Sequence, residues 1–244
     1  MEVITSISNA IVKRINKLKQ KKYRDEAGEF IVEGLRNVRD TAEATPQSVV
    51  AVILGESSYK KYGAEFSAFS VSVVSDAIVE KLSDAESSQG VISINRKKQS
   101  EFPSGRCVLL DRVRDPGNVG TILRTAVAAG YDVVLDGCCD IYSPKVVRSG
   151  MSAVLKCRIS EDISVAELKA AGYEIIVADM NGEDIFDAAK PIGKYCIVIG
   201  NEADGVSDEI ANAADRIIAI PQSGVESLNA AVAAGVMMFV LGRK

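Results

Sequence analysis

The segment Asp115–Gly130, DPGNVGTILRTAVAAG, joins an apolar strand to an alanine-rich helix. The preceding strand includes Cys107–Leu110, and apolar strands continue to alternate with helices towards the C-terminus. This alternation is typical of a parallel sheet that is covered by helices on both faces. A glycine-rich turn lets a ligand approach backbone amides closely, and Arg124 lies inside the helix that follows. The segment therefore predicts an α/β fold with a ligand site at the strand ends.

The composition is that of a globular chain, and it limits the chemistry that the protein can perform. The chain has 244 residues, of which 47% are hydrophobic and 25% charged, which is enough for one large domain or two ordinary ones. It contains no histidine, so catalytic triads that depend on histidine are excluded. The five cysteines lack the spacing of metal ligands, and we predict that no metal is bound.

The sequence favours a cytoplasmic protein. No run of eighteen apolar residues occurs, so we expect no membrane span. The first residues, MEVITSISNA, lack the basic region and apolar core of a secretory signal. The cysteines fit reduced thiols that serve as small core residues.

The chain divides into two predicted domains, 1–96 and 106–244, which are joined by a polar linker at 97–105 that contains proline and glycine. In the first domain the pattern predicts a helix from Ser8 or Asn9 to about Lys22, followed by alternating strands and helices. In the second domain, the predicted strands are Val108–Asp111, Val133–Leu135, Ile175–Ala178, Cys196–Ile199 and Ile217–Ile220. The last helix is predicted from near Ser227 towards Leu241.

Three loops that follow strands in the second half combine glycines with polar side chains. They are 115–124, 199–205 and 220–229. A purely structural interpretation is also open for each loop, in which the glycines shape turns, Pro221 breaks a strand and Ser227 caps the last helix. The first loop matches neither GxGxxG nor GxxxxGK[ST], so a nucleotide-dependent oxidoreductase is poorly supported.

Taken together, the three loops resemble the three motifs of the SpoU-type RNA ribose 2′-O-methyltransferases in the SPOUT superfamily. The matching residues are Asn118-x-Gly120-x-x-x-Arg124, Gly200-Asn201-Glu202-x-x-Gly205 and Ile220-Pro221-x-x-Gly224-x-x-Ser227-Leu228-Asn229. The resemblance covers Cys107 to Lys244. The front part resembles the family's small ribosomal-protein-like α/β domain, which binds the substrate, on segments 17–38 and 87–94.

The resemblance implies a C-terminal SPOUT domain with a parallel sheet and a deep trefoil knot, a feature otherwise almost absent from proteins. It implies a homodimer whose active site lies at the dimer interface. It also implies S-adenosylmethionine as cofactor, held by the knot loops. The implied cofactor-binding residues are Gly200, Asn201, Gly205, Ile220, Pro221, Gly224 and Leu228.

The same resemblance implies that Arg124 lies beside the ribose and its phosphate, as the proposed base. A free guanidinium stays protonated at ordinary pH, so a bidentate clamp on the phosphate is an equally open role. The other implied catalytic residues are Asn118, Glu202, Ser227 and Asn229. No metal is needed, because the donor already carries an activated methyl group.

A basic segment near the N-terminus predicts contact with RNA phosphates although the net charge is −4. Its residues are Lys13, Arg14, Lys17, Lys21, Lys22 and Arg24. Aromatic residues make up only 5%, which favours recognition of RNA shape over stacking on single strands. Ribosomal RNA is the favoured substrate, with transfer RNA as the alternative. An inactive RNA-binding dimer is the alternative from another class.

Overall fold

A computed structural model describes residues 2–85, 88–225 and 227–242. Ser87, at the start of the segment 87–94, lies outside the described residues. The chain forms two compact units, Met1–Lys98 with Tyr142–Lys156, and Gln99–Ile141 with Cys157–Lys244. Across the described ranges, none of the helices combines the length and apolarity needed to span a bilayer.

Strands and helices alternate along most of the chain. The strands are β1 (Val3–Ile4), β2 (Glu29–Glu33), β3 (Val49–Gly55), β4 (Val71–Val74), β5 (Val91–Arg96), β6 (Cys107–Asp111), β7 (Asp132–Asp136), β8 (Ile159–Glu161), β9 (Glu174–Asp184), β10 (Tyr195–Ile199) and β11 (Arg216–Ala219). The helices are α1 (Ala10–Leu18), α2 (Lys21–Ala27), α3 (Leu35–Ala44), α4 (Glu56–Tyr62), α5 (Asp76–Leu82), α6 (Pro116–Ala129), α7 (Pro144–Ser149), α8 (Ala153–Lys156), α9 (Val165–Ala170), α10 (Asp208–Ala213) and α11 (Ala230–Gly242).

The first unit is built on a mixed sheet with strand order β1-β4-β3-β5-β2. The β1, β4 and β3 strands run parallel, and β5 pairs antiparallel with both β3 and β2. The apolar stripe of α1, formed by Val12, Ile15 and Leu18, packs into the core of this unit. The prediction of a small α/β unit is confirmed, although the two residues of β1 were too few to form a recognisable pattern.

The prediction of one helix to Lys22 is wrong, because the chain breaks between α1 and α2. Gln20 is extended, with φ −101° and ψ 135°. Arg24 in α2 is 3% exposed, and its Nη1 donates to the carbonyl oxygen of Leu18 at 2.8 Å. This bond satisfies a carbonyl that the end of α1 would leave without a partner. Arg24 therefore holds the helix end rather than facing solvent.

The second unit is built on an all-parallel sheet with strand order β11-β9-β10-β6-β7-β8. Every residue of β6 and β10 is buried, as expected for central strands that are covered on both faces. The predicted parallel sheet is confirmed. The β8 strand was missed because three residues are too few to show a period.

Helices α6 and α11 pack against each other and place two of the three predicted loops. Arg106 joins their C-terminal ends, since its guanidinium donates to carbonyl oxygens of Ala129, Gly130 and Gly242 at 2.8 to 3.0 Å. The predicted start of the last helix near Ser227 is three residues early. The side chain of Asn229 accepts from the Ala231 N–H at 2.9 Å and so provides the cap.

Candidate active site

Three loops meet at one edge of the parallel sheet of the second unit. They follow β6, β10 and β11, and they lead into α6, α10 and α11. Because β6 neighbours β10, and β9 joins β10 to β11, the carboxyl ends of these strands lie side by side. This edge is where open α/β sheets bind ligands.

Asn118 links all three loops through hydrogen bonds. Its Nδ2 donates to Glu202 Oε1 at 2.6 Å, and its Oδ1 accepts from Asn229 Nδ2 at 2.9 Å. The Oδ1 of Asn229 is oriented in turn by the first N–H groups of α11. Asp115 caps α6 by accepting from the Asn118 N–H at 2.8 Å. The polar residues that the sequence assigned to separate loops therefore form one network.

The loop after β10 folds back on itself. Asn201 and Gly205 exchange two backbone hydrogen bonds, each 3.0 Å long. A Cβ on Gly200 would lie 2.3 Å from the carbonyl carbon of Gly205, and real Cβ atoms do not approach backbone so closely. Glycine at position 200 thus permits the tight turn.

A cavity of about 500 Å³ opens between the loops that follow β10 and β11. Its walls include apolar residues at strand ends and in α11, together with the loop 200–206. The lining residues are Ala178, Asp179, Met180, Ile199, Gly200, Asn201, Glu202, Ala203, Asp204, Gly205, Val206, Ile218, Ile220, Gln222, Ser227, Leu228, Ala230 and Ala233. This size and mixed lining suit a nucleoside-sized ligand.

The cavity brings together most of the residues that the sequence assigned to the cofactor. Gly200, Asn201, Gly205, Ile220 and Leu228 line it, and so do the predicted catalytic residues, Glu202 and Ser227. The predicted cofactor residues Pro221 and Gly224 are exposed and do not belong to its lining. Asn118 and Asn229 do not belong to the lining, and they hydrogen-bond to each other in the network described above.

Asp179 and Met180 line the cavity but were missed by sequence reasoning. They follow the buried part of β9, whose carboxyl end lies between those of β10 and β11. Because open α/β sheets bind ligands at the carboxyl ends of their strands, the position of these residues after a buried strand is itself a signal. The segment lacks the glycines that mark the other loops.

Arg124 is exposed on α6 and does not line the cavity of its own chain. Val127, on the same helix, is 36% exposed, and Val232 and Phe239 on α11 are about half exposed. Because α6 packs against α11, these side chains lie on neighbouring helices. Arg124 thus lies on a helix with exposed apolar side chains and is not part of the cavity lining.

The basic segment is only partly available for binding. Arg24 is buried and hydrogen-bonded to Leu18, so its assignment as an RNA contact is corrected. The neighbouring cations form ion pairs at 2.6 to 3.9 Å, namely Arg14 with Glu29, Lys21 with Asp25 and Lys22 with Glu26. Lys13 and Lys17 are exposed on α1. Lys17 lies over the ring of Tyr23.

Two cysteines follow β7 at the same sheet edge, but they are poor nucleophiles. Burial raises the pKa of Cys138 to about 12, and burial also raises the pKa of Cys139. Both thiols therefore stay protonated at neutral pH. Within the described ranges, no cluster of three cysteine or carboxylate side chains could hold a metal ion.

The parallel sheet, the three loops and the cavity define an α/β protein with a small-ligand site at the carboxyl edge of its sheet. The chain belongs to the SpoU rRNA methylase family, whose model matches residues 105–239. The model of the MRM3-like substrate-binding domain matches residues 9–93.

The similarity to known proteins extends over nearly the whole chain. The 23S rRNA (guanosine(2553)-2′-O)-methyltransferase RlmP of Bacillus subtilis is 29% identical, over 99% of both chains. A crystal structure of an rRNA methyltransferase from Sinorhizobium meliloti is 31% identical, has a TM-score of 0.85, and covers 98% of this chain and 96% of its own. A second structure, described as AdoMet-bound rRNA methyltransferase from the same organism, is 30% identical, has a TM-score of 0.84, and covers 98% and 97%.

Proposed function

We propose that this protein transfers a methyl group from S-adenosylmethionine to a ribose 2′-hydroxyl of structured RNA, with ribosomal RNA as the favoured substrate. The observation that carries the proposal is the cavity at the carboxyl edge of the sheet, which two family motifs line and the third joins through Asn118. Similarity to RlmP and to the AdoMet-bound structure supports the same conclusion.

The cavity fits the cofactor chemically. Ile218, Ile220 and Leu228 provide apolar walls for an adenosine moiety. Asn201, Gln222 and Ser227 add polar groups to the same lining. Three carboxylates, from Asp179, Glu202 and Asp204, belong to the described lining, which contains no lysine or arginine. This charge suits a cationic sulfonium ligand. The cofactor supplies a methyl group that is already activated, so this scheme requires no metal.

The active enzyme is proposed to be a homodimer. The exposed apolar side chains on α6 and α11, Val127, Val232 and Phe239, provide a surface that a second copy would cover. Arg124 lies three residues before Val127 on the same helix, so a partner that covers this surface would also meet Arg124. The family resemblance implies an active site at the dimer interface, and we therefore place Arg124 at the cavity of the partner. In that position its guanidinium would clamp the ribose phosphate, or act as the base.

The domain assignments extend this proposal. Residues 1–96 would bind RNA, and residues 106–244 would form the methyltransferase domain, with the loops after β10 and β11 in the predicted trefoil knot. The compact units differ from this division at Tyr142–Lys156, which belongs to the first unit. The family-model matches at 9–93 and 105–239 support this division. The five free cysteines agree with the predicted reducing cytoplasm.

Mapping 2′-O-methylated riboses in total RNA, with and without this protein, tests the proposed activity. We expect one ribosomal RNA position to gain resistance to alkaline hydrolysis, because methylation removes the attacking hydroxyl. A new position in transfer RNA would favour the alternative substrate. No new position, together with no S-adenosylmethionine binding in calorimetry, would favour the inactive RNA-binding dimer.

We expect replacement of both Lys13 and Lys17 by glutamate to weaken RNA binding by roughly tenfold or more. Both side chains are exposed on α1. Each RNA phosphate that is no longer neutralised should reduce, by about one unit, the steepness with which the logarithm of the RNA binding constant falls with the logarithm of the salt concentration. Filter binding across a salt series measures both effects. Glutamate at Lys60 and Lys61, on α4, is the control with the same charge change. Equal effects from both pairs would indicate a general charge effect rather than an interface on α1.

A further inference from the structure

Asp111 is a buried carboxylate that the proposed reaction does not use. It ends β6 and is fully buried. Its Oδ1 accepts from Arg112 Nε at 2.9 Å, and its Oδ2 accepts from Arg112 Nη2 at 3.3 Å and from the Ser207 N–H at 2.6 Å. A buried charge is costly unless it is paired and hydrogen-bonded. The three donors around Asp111 are therefore held in fixed positions.

These hydrogen bonds keep Asp111 ionised. Burial alone would raise the pKa of its carboxyl, but hydrogen bonds from Arg112 and from Ser207 outweigh that effect and lower the pKa below its ordinary value. The carboxylate is consequently charged at neutral pH, and its bonds to both partners are the stronger, charge-assisted kind.

Arg112 binds the loop 201–207 at Asn201 and Gly205, before the point where Ser207 contacts Asp111. Its backbone has φ +55°, in the left-handed region that side chains rarely adopt. In this conformation its carbonyl oxygen accepts from Asn201 Nδ2 at 2.8 Å, and its own N–H donates to the Asp136 carbonyl at 2.7 Å. Its Nη2 also donates to the Gly205 carbonyl at 3.3 Å.

The pair Asp111 and Arg112 thus holds the loop 201–207 at Asn201, at Gly205 and at Ser207. Residues 200–206 form one wall of the cavity, whereas neither Asp111 nor Arg112 belongs to its lining. The pair therefore contacts the loop without contacting a ligand in the cavity. We propose that Asp111 and Arg112 are positioning residues that fix this wall and so set the affinity for the methyl donor, an inference that rests on the proposed function.

The variant Asp111→Asn tests the proposal, because it keeps the shape of the side chain and removes its charge. We expect the Kd for S-adenosylmethionine, measured by calorimetry, to rise about tenfold, and the KM for the donor to rise with it. The kcat at saturating donor and the Kd for RNA should change by less than about threefold. Hydrogen exchange of the amides in 201–207 should accelerate in the free protein.

Asp215→Asn is the matched control. Asp215 also accepts from a cation, Lys169 Nζ at 2.8 Å, and from a backbone N–H, that of Ile175, at 2.8 Å, but it contacts no part of the loop 201–207 in these bonds. It should alter stability without changing the Kd for the donor. If Asp111→Asn does not fold, Arg112→Lys keeps the positive charge and loses the fork that joins Asp111 to Gly205, and it should raise the same Kd.

The outcomes separate this inference from the function on which it rests. If the protein without substitutions binds S-adenosylmethionine, and if the variants Asp111→Asn and Arg112→Lys bind it equally well, the positioning role is overturned and the proposed function stands. If the unmodified protein fails to bind the donor, both are overturned.

Discussion

We expect Arg124→Ala to lower kcat for RNA methylation by about a thousandfold or more, while the Kd for S-adenosylmethionine stays within about threefold. The kcat should fall because Arg124 is proposed to clamp the ribose phosphate or to act as the base. The Kd should stay because Arg124 is exposed on α6 and lies outside the cavity lining of its own chain. Its removal should therefore leave both the fold and the cofactor site intact. A single-turnover assay with radiolabelled donor, beside calorimetry, measures the two quantities separately.

Arg158→Ala is a suitable control for this loss. Arg158 is a partly exposed arginine of the same unit and pairs with Glu101 at 2.8 Å. It precedes β8, a strand that none of the three loops follows. It should retain nearly full turnover. Turnover retained by Arg124→Ala would remove this guanidinium from the mechanism.

The role of Arg124 in the partner's site can be tested by mixing subunits. A preparation of Arg124→Ala mixed with a variant that cannot bind the donor would contain mixed dimers. In each of these, one site combines an intact cavity with an intact arginine from the other chain. We expect such a mixture to recover up to about a quarter of normal activity, because about half of the dimers are mixed and each has one working site. No recovery would mean that Arg124 serves its own subunit.

The sequence identifies the loops, but it does not reveal how they are held together. Apolar runs at β6, β9, β10 and β11 predict parallel strands, and parallel strands place their following loops on one edge. The Asn118–Glu202 and Asn118–Asn229 hydrogen bonds join positions 84 and 111 residues apart. No local pattern encodes such pairs, so the sequence predicts the residues and the fold supplies their connections.

Arg24 shows the complementary error, in which a local pattern is misleading. Its place in a run of lysines and arginines predicts a solvent-exposed charge. The break between α1 and α2 instead leaves a helix-end carbonyl that this guanidinium satisfies. Charge patterns alone cannot distinguish a cation that binds a ligand from one that caps a helix.

We expect Gly200→Ala to weaken S-adenosylmethionine binding by about a hundredfold or more, which corresponds to roughly 2.7 kcal/mol. The added Cβ would lie 2.3 Å from the Gly205 carbonyl carbon and 2.4 Å from the Val206 nitrogen. Because both neighbours are backbone atoms, the loop itself must move. That movement would break the paired bonds between Asn201 and Gly205 and displace a wall of the cavity.

Calorimetry with the donor and a thermal melt of the same preparation distinguish a displaced loop from a lost fold. Overpacking of this kind costs about 1 to 3 kcal/mol, so the protein should remain folded at 25 °C while donor binding weakens by about a hundredfold or more. Gly105→Ala is the control, since a Cβ there meets nothing within 4 Å, and it should bind the donor normally. Normal donor binding by Gly200→Ala would mean that the wall formed by the loop after β10 does not contact the cofactor, and it would place the cofactor site elsewhere on the sheet edge.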